Sequence, residues 1–386
     1  MRSTWIPTLA SPRWRAELSS ATWTRRRSVS AWRRRPGWSR TRGVGGLTLG
    51  GGYGYLSRRF GLACDNLLSA EVVLADGSVV VVSQTDEPDL LWGLRGGGGN
   101  FGAVTSFRFR LHPVGPTVIV GELTFSEVDG VAALRAFRDL VFDRQDVVSA
   151  VHVGAVSPSW PGFERSMVGK PVVIVEFVVT GTDLDDADRI AASLRGVAPV
   201  IVESVEPMSY VELQSAGDTT SAPGAARRYW KSSAFAELPD ELLETFLERG
   251  VETASVAPDC YLELVAAFGG AVSTIDADET AFGQRRAQVD FLALGRWTDP
   301  ADDERFIELC RANWAAVSRF GNAGVYVNNL GLEDRVLEAY GESRYRRLAA
   351  LKHRFDPANT FHLNANIRPS GGGGPLGPLG REGHRG

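Results

Sequence analysis

The chain has 386 residues, 44% of them hydrophobic and 23% charged, with 43 glycines, 19 prolines and 3 cysteines. Near-average apolar content excludes a disordered or collagen-like chain, the few cysteines exclude a disulfide-stapled miniprotein, and the length suffices for two domains with cores. The formal charge of −4 averages two compositions: residues 1–43 hold eleven arginines against one acid, Glu17, and carry +10, while the remainder carries −14.

Five of the ten tryptophans (Trp5, Trp14, Trp23, Trp32, Trp38) fall in the same basic arm. Such a leader reads as an export signal, an organelle address or a nucleic-acid arm. Export by a twin-arginine route needs an apolar stretch after Arg25, Arg26 and Arg27, yet the chain runs straight on into Arg33, Arg34 and Arg35. An acidic body works against phosphate, so no nucleic-acid partner is expected. The chain has three lysines (Lys170, Lys231, Lys352) against 39 arginines, the usage of GC-rich coding DNA. Read out of frame, such DNA yields Arg, Trp, Ser and Pro, so residues 1–42 are expected to be non-native or disordered. Apolar runs such as residues 79–82 and 171–180 are far short of the ~20 residues of a membrane span, so no membrane partner is expected. Cys64, Cys260 and Cys310 lack Cys-x-x-Cys or Cys/His spacing, so no metal is expected, and their odd number suits a reducing cytoplasm.

From Gly43 onward, residues 43–54 read as a glycine-dense loop whose backbone can lie against a ligand. Residues 69–74 and 78–83 are β-branched runs around Asp76-Gly77, a hairpin signal. Residues 89–94 read as a short helix, and residues 104–111 alternate Phe107, Phe109 and Leu111 inward with Arg108 and Arg110 outward, the period of a half-exposed strand. After Pro116 come strands at 118–125, 148–156, 171–180, 261–268 and 287–295. Helices are expected at 131–142, 183–194 (opened by Thr182 as N-cap), 241–249 and 300–320. This is an α+β chain, its second domain an antiparallel sheet covered by helices. The tail 370–386 reads as disordered.

Gly97-x-Gly99-x-x-Gly102 matches the dinucleotide fingerprint, but a helix precedes it and a strand follows, the reverse of a Rossmann unit. Taken with residues 43–54, Arg58-Arg59-Phe60-Gly61-Leu62-Ala63-Cys64-Asp65-Asn66, residues 72–77, 89–93 and 95–102, and Phe355-Asp356-Pro357-Ala358-Asn359-Thr360-Phe361, the chain resembles the berberine-bridge-enzyme-like flavoprotein oxidases, of the vanillyl-alcohol-oxidase (PCMH-type) FAD-binding fold. The resemblance runs from Gly43 to about Pro369. It implies a truncated FAD-binding domain over 43–116, a substrate domain over 117–325 and a returning C-terminal segment over 326–369. It implies FAD contacts at Gly43, Val44, Gly45, Gly46, Tyr53, Asn100 and Val104, with Asn328 of a Tyr-x-Asn motif, Asn364 and Asn366 near the flavin ring. Tyr326 is then the base that takes the substrate's O–H or N–H proton while hydride passes to the flavin. A free tyrosine has a pKa near 10, so either a hydrogen bond or a nearby cation, for which Lys231 and Arg285 are candidates, is expected to lower it.

The family's attachment histidine, in an Arg-x-x-Gly-Gly-His segment, has no counterpart among His112, His152, His353, His362 and His384, and the attachment cysteine falls by spacing on Ser39. Non-covalent FAD is therefore expected, with a bare sheet edge where the first half of the domain is missing. The expected partners are a small alcohol, sugar or secondary-metabolite substrate, and oxygen or another electron acceptor. The competing reading is a truncated, non-catalytic remnant that does not hold FAD.

Overall fold

A computed structural model describes residues 13–15, 43–157, 162–181, 183–215, 226–321, 323–330, 335–363 and 365–370. Strands β1 (Arg13–Arg15), β2 (Leu67–Val73), β3 (Val79–Ser83) and β4 (Ala103–Phe109) form an antiparallel sheet in the order β1-β4-β2-β3. The β2–β3 hairpin turns at Gly77, whose φ of 83° is the conformation the Asp-Gly signal requires. Strand β1 lies in the basic arm and pairs with β4, Trp14 in register with Phe107. Along β4, Phe107 and Phe109 are buried and Arg108 is exposed.

The glycine run departs from the expectation of a loop. Its first half is helix α1 (Val44–Leu49), followed by α2 (Ser57–Phe60) and α3 (Pro88–Leu94). Glycine is a poor helix former, and α1 is held by packing: Leu49 and Val44 join the core of the first sheet, with Leu67, Leu91, Phe101 and Phe107.

The second sheet has seven strands, all antiparallel: β5 (Thr117–Ser126), β6 (Val148–Ala155), β7 (Pro171–Thr180), β8 (Val200–Ser209), β9 (Arg227–Phe235), β10 (Tyr261–Ala266) and β11 (Val289–Trp297), ordered β8-β5-β7-β6-β10-β11-β9. Four helices cover one face: α4 (Gly130–Asp143), α5 (Leu184–Arg195), α7 (Asp240–Val256) and α8 (Asp303–Ser318). A shorter α6 (Tyr210–Ser215) follows β8. The residue expected to cap α5, Thr182, lies outside the described residues; Asp183 caps it, accepting from the Asp186 N–H (3.0 Å). Strands β8 and β9 were not anticipated. Pro207 interrupts the first, which the sheet tolerates because β8 is an edge strand.

The uncovered face of this sheet meets the first unit through Val118, Val148, Ala150, Val178 and Val265, which pack with Tyr53, Tyr55, Leu62 and Tyr326. Helices α9 (Val336–Tyr340) and α10 (Glu342–Phe355) return to the first sheet, placing Leu348, Leu351 and Phe355 in its core. Among the described residues, β1 to β4 and α10 thus belong to one unit, and the second sheet is carried between β4 and α9.

Candidate active site

Helix α1 has no side-chain cap, and its first-turn N–H groups lack intrahelical acceptors. A Cβ added at Gly43 or Gly46 meets nothing within 4 Å, so one side of this backbone is bare. The far end is closely held. A Cβ at Gly50 would overlap Asn328 Oδ1, so only glycine brings this turn against the 326–329 segment. Gly51 (φ 127°) and Gly52 (φ 88°) then redirect the chain through conformations that L side chains rarely adopt. The Gly98 N–H donates to the Leu49 carbonyl (2.9 Å), joining the two glycine runs.

Tyr326 is 3% exposed. Its Oη accepts from the Gly52 N–H (2.8 Å) and from Asn328 Nδ2 (2.8 Å), and that amide also donates to the Leu47 carbonyl (3.1 Å). The Tyr53 ring lies 4.8 Å from the Tyr326 ring. Tyr53 Oη donates to Asp290 Oδ2 (2.7 Å), and Asn329 Nδ2 donates to Asp290 Oδ2 (2.5 Å) and Tyr53 Oη (3.1 Å). Burial pushes the Tyr53 phenol well above its ordinary range, and the Asp290 charge adds to the rise. Burial likewise lifts the Asp290 carboxyl to about 7, against the opposing hydrogen bonds from Tyr53 and Asn329. Asp290 Oδ1 is buried and has no partner.

Asn100 has its side chain engaged: it donates to the Gly97 (2.9 Å) and Ala365 (3.0 Å) carbonyls and accepts from the Ile367 N–H (3.0 Å). It therefore clamps the second glycine run to the returning segment. Its carbonyl accepts from Lys352 Nζ (2.7 Å), which is buried in an ion pair with Asp356. Val104 packs in the first core. Asn366 carries a buried Oδ1 without a partner, and Asn364 lies outside the described residues.

Neither candidate cation lies beside Tyr326. Lys231 points to the helix-covered face, its Nζ 3.7 Å from the centre of the Trp314 ring on α8. Arg285 is buried in an ion pair with Asp65 and also reaches Thr280 Oγ1. The Asp290–Tyr53–Asn329 cluster escaped sequence reasoning. Its one signal was a lone acid in the apolar strand β11, since a buried carboxylate demands partners.

A family model described as FAD binding domain matches residues 25–83, starting within the basic arm, and one described as berberine and berberine like matches residues 325–368. (R)-6-hydroxynicotine oxidase of Paenarthrobacter nicotinovorans is 31% identical over 352 residues, covering 85% of this chain and 71% of that protein. The chain belongs to the berberine-bridge-enzyme-like FAD-linked oxidoreductases. Another family member, glucooligosaccharide oxidase of Sarocladium strictum, is 26% identical over 85% of this chain and 68% of its own. Among solved structures, a berberine bridge enzyme variant described as a reticuline dehydrogenase superposes with a TM-score of 0.78 at 21% identity, covering 96% of this chain and 79% of that one. The α+β, PCMH-type fold is thereby shared, and FAD is the family's cofactor. The residues present fit it: the bare backbone at Gly43 and Gly46 offers N–H groups with no side chain in the way, and Thr48 Oγ1 and Asn366 Oδ1 are buried polar atoms without partners. Ser39, at the spacing of the family's attachment cysteine, lies outside the described residues. No helix among the described residues is long and apolar enough to cross a membrane.

Proposed function

We propose that this FAD-linked oxidoreductase oxidises a small alcohol, sugar or secondary-metabolite ring, held between Tyr326 and the uncovered face of the seven-stranded sheet. The named relatives act on hydroxynicotine and on glucooligosaccharides, so the fold serves substrates of different chemistry. Gly43, Val44, Gly45, Gly46, Tyr53, Asn100, Val104, Asn328 and Asn366 are the residues assigned to hold FAD, with Asn364 assigned from sequence. Bound FAD supplies the hydride acceptor and passes electrons to oxygen or another acceptor. We assign no covalent link, since His112 bonds Asn66 Oδ1 (2.7 Å), His152 is on the second sheet, and His353 and His362 are exposed.

Tyr326 takes the substrate's O–H or N–H proton. The observation that carries this assignment is the convergence of the Gly52 N–H and Asn328 Nδ2 on Tyr326 Oη. Two donors aimed at one phenol oxygen favour negative charge there. Tyr53 is unsuited to that role, because burial and Asp290 hold its phenol protonated. The test is the visible spectrum of the purified chain with FAD, followed by Tyr326→Phe. The expected result is flavin absorbance in both proteins, with flavin reduction by hydroxynicotine or a glucooligosaccharide roughly 10²-fold slower in the variant. A chain that takes up no flavin from excess FAD is instead the non-catalytic remnant, and an unchanged reduction rate removes Tyr326 as the base.

A further inference from the structure

Two of the three cysteines meet at one end of the second sheet. Cys260 sits in the turn between α7 and β10, its N–H donating to the Ala257 carbonyl (2.8 Å), and Cys310 lies on α8. Both are free thiols on residues 1% exposed. Between them passes Gly295 of β11. A Cβ added there would lie 3.0 Å from Cys310 Sγ and 3.3 Å from Cys260 Sγ, tighter than side chains ordinarily pack. The missing methyl leaves the space that both sulfurs face.

Cysteines buried in an apolar core are ordinarily inert. This pair has a polar setting of its own. A hydrogen bond with the Cys310 thiol lowers Cys260, and the Arg296 backbone N–H and the Arg305 charge act in the same direction against burial. Cys310 is raised, first by that same hydrogen bond and then by burial. One sulfur is thus favoured as thiolate while the other keeps its proton, the division between an attacking and a resolving thiol. Cys64 gives the contrast within the chain: it packs in another cluster, with Tyr53 and Leu62, and burial followed by the Asp65 charge holds its thiol well above the ordinary range. The pair lies beside the stacked rings of Trp297 and Phe306, 5.1 Å apart. Arg305 fastens the first turn of α8 to the Val256 carbonyl (2.8 Å), and local opening of that turn admits a small oxidant.

We infer that Cys260 and Cys310 are an oxidisable dithiol, a modification site for a hydroperoxide, and this stands apart from the oxidase reading above. With hydrogen peroxide, the Cys260 thiolate attacks the O–O bond, taking one oxygen as a sulfenic acid and releasing hydroxide. The Cys310 sulfur then attacks the Cys260 sulfur, and the sulfenic oxygen leaves as water with the Cys310 proton. A disulfide forms as the two thiols lose two electrons, and the peroxide becomes two waters, the Cys260 proton completing the second. The bridge ties α8 to the start of β10.

The test treats the full chain, with FAD added, with stoichiometric hydrogen peroxide, followed by catalase, non-reducing peptide mass spectrometry and a count of free thiols. The expected product is a Cys260–Cys310 linked peptide two hydrogens lighter than its parts, with Cys64 left as the free thiol. The melting temperature should rise by roughly 3–10 °C and fall back when dithiothreitol is added. In Cys310→Ser, dimedone should trap a sulfenic acid at Cys260, with no rise in melting temperature. Three free thiols after peroxide, oxidation of Cys64 ahead of the pair, or Cys260 carried to sulfinic acid without a link overturns the inference. The linked peptide is read on the unsubstituted chain, so the test holds even where Cys310→Ser fails to fold.

Discussion

Asp290 is a carboxylate in a strand whose neighbours are Val289 and Phe291, and its environment decides its charge. Burial lifts its carboxyl to about 7, against roughly 3.9 in an unfolded chain. Between those values the folded chain binds a proton that the unfolded chain has released, so folding is progressively disfavoured as pH rises across that window. Asp290→Asn keeps an oxygen to accept from Tyr53 and Asn329 and removes the titration. Melting curves from pH 4 to 8 should show wild type losing up to a few kcal/mol relative to the variant as pH rises; parallel curves would show that Asp290 does not carry the shift. At the same scale, the Tyr326 oxygen accepts from the Gly52 N–H and from Asn328 Nδ2.

At the scale of elements, packing decided where local preference gave the wrong answer. Helix α1 forms in a run where three of seven residues, Gly43, Gly45 and Gly46, are glycine, because Leu49 is buried and Val44 half-buried against the first sheet. The turn that follows depends on one missing methyl. Gly50→Ala should push Asn328 away from Tyr326, lower stability by about 1–3 kcal/mol and weaken FAD retention, read by thermal melting and by the flavin left after gel filtration. An unchanged melting temperature would show that the 326–329 segment yields freely. Strand β9 was missed for the converse reason. Arg227, Arg228 and Lys231 make it look polar, yet it pairs along nine residues of β11, and Lys231 hides its charge against Trp314. β4 and α4 were legible because one face of each is apolar, and β7 because it is a nearly unbroken apolar run buried on both faces.

For the whole molecule, the two units are pinned by buried polar groups as well as by apolar packing. Arg58, 1% exposed, donates from α2 to the Val141 (2.6 Å) and Val147 (3.2 Å) carbonyls of the second unit. Arg285 returns the contact by pairing with Asp65. Breaking one half of such a pair strands the other charge, so Asp65→Asn should cost about 3–5 kcal/mol, and it should release the second sheet from the first before either melts. Limited proteolysis alongside calorimetry checks this: a single unchanged transition would show that the ion pair adds little to the junction. If the units part, Tyr53 loses Asp290, so flavin reduction by substrate should fail along with the junction.

Residue order alone carries the family, the two-unit α+β plan and the motif residues, because glycine spacing and apolar period are local properties of the chain. The resemblance also put Tyr326 forward as the candidate base. Folding in three dimensions brings the Gly52 N–H to the Tyr326 oxygen, and Tyr53 with its partner Asp290 to the Tyr326 ring, from segments that sequence order keeps apart. The grouping of Glu122, Glu176, Glu263 and His152 was decided in the same way, since they lie on four strands and become neighbours only through sheet register. Charge acts through space, and a chain read in order does not contain those distances.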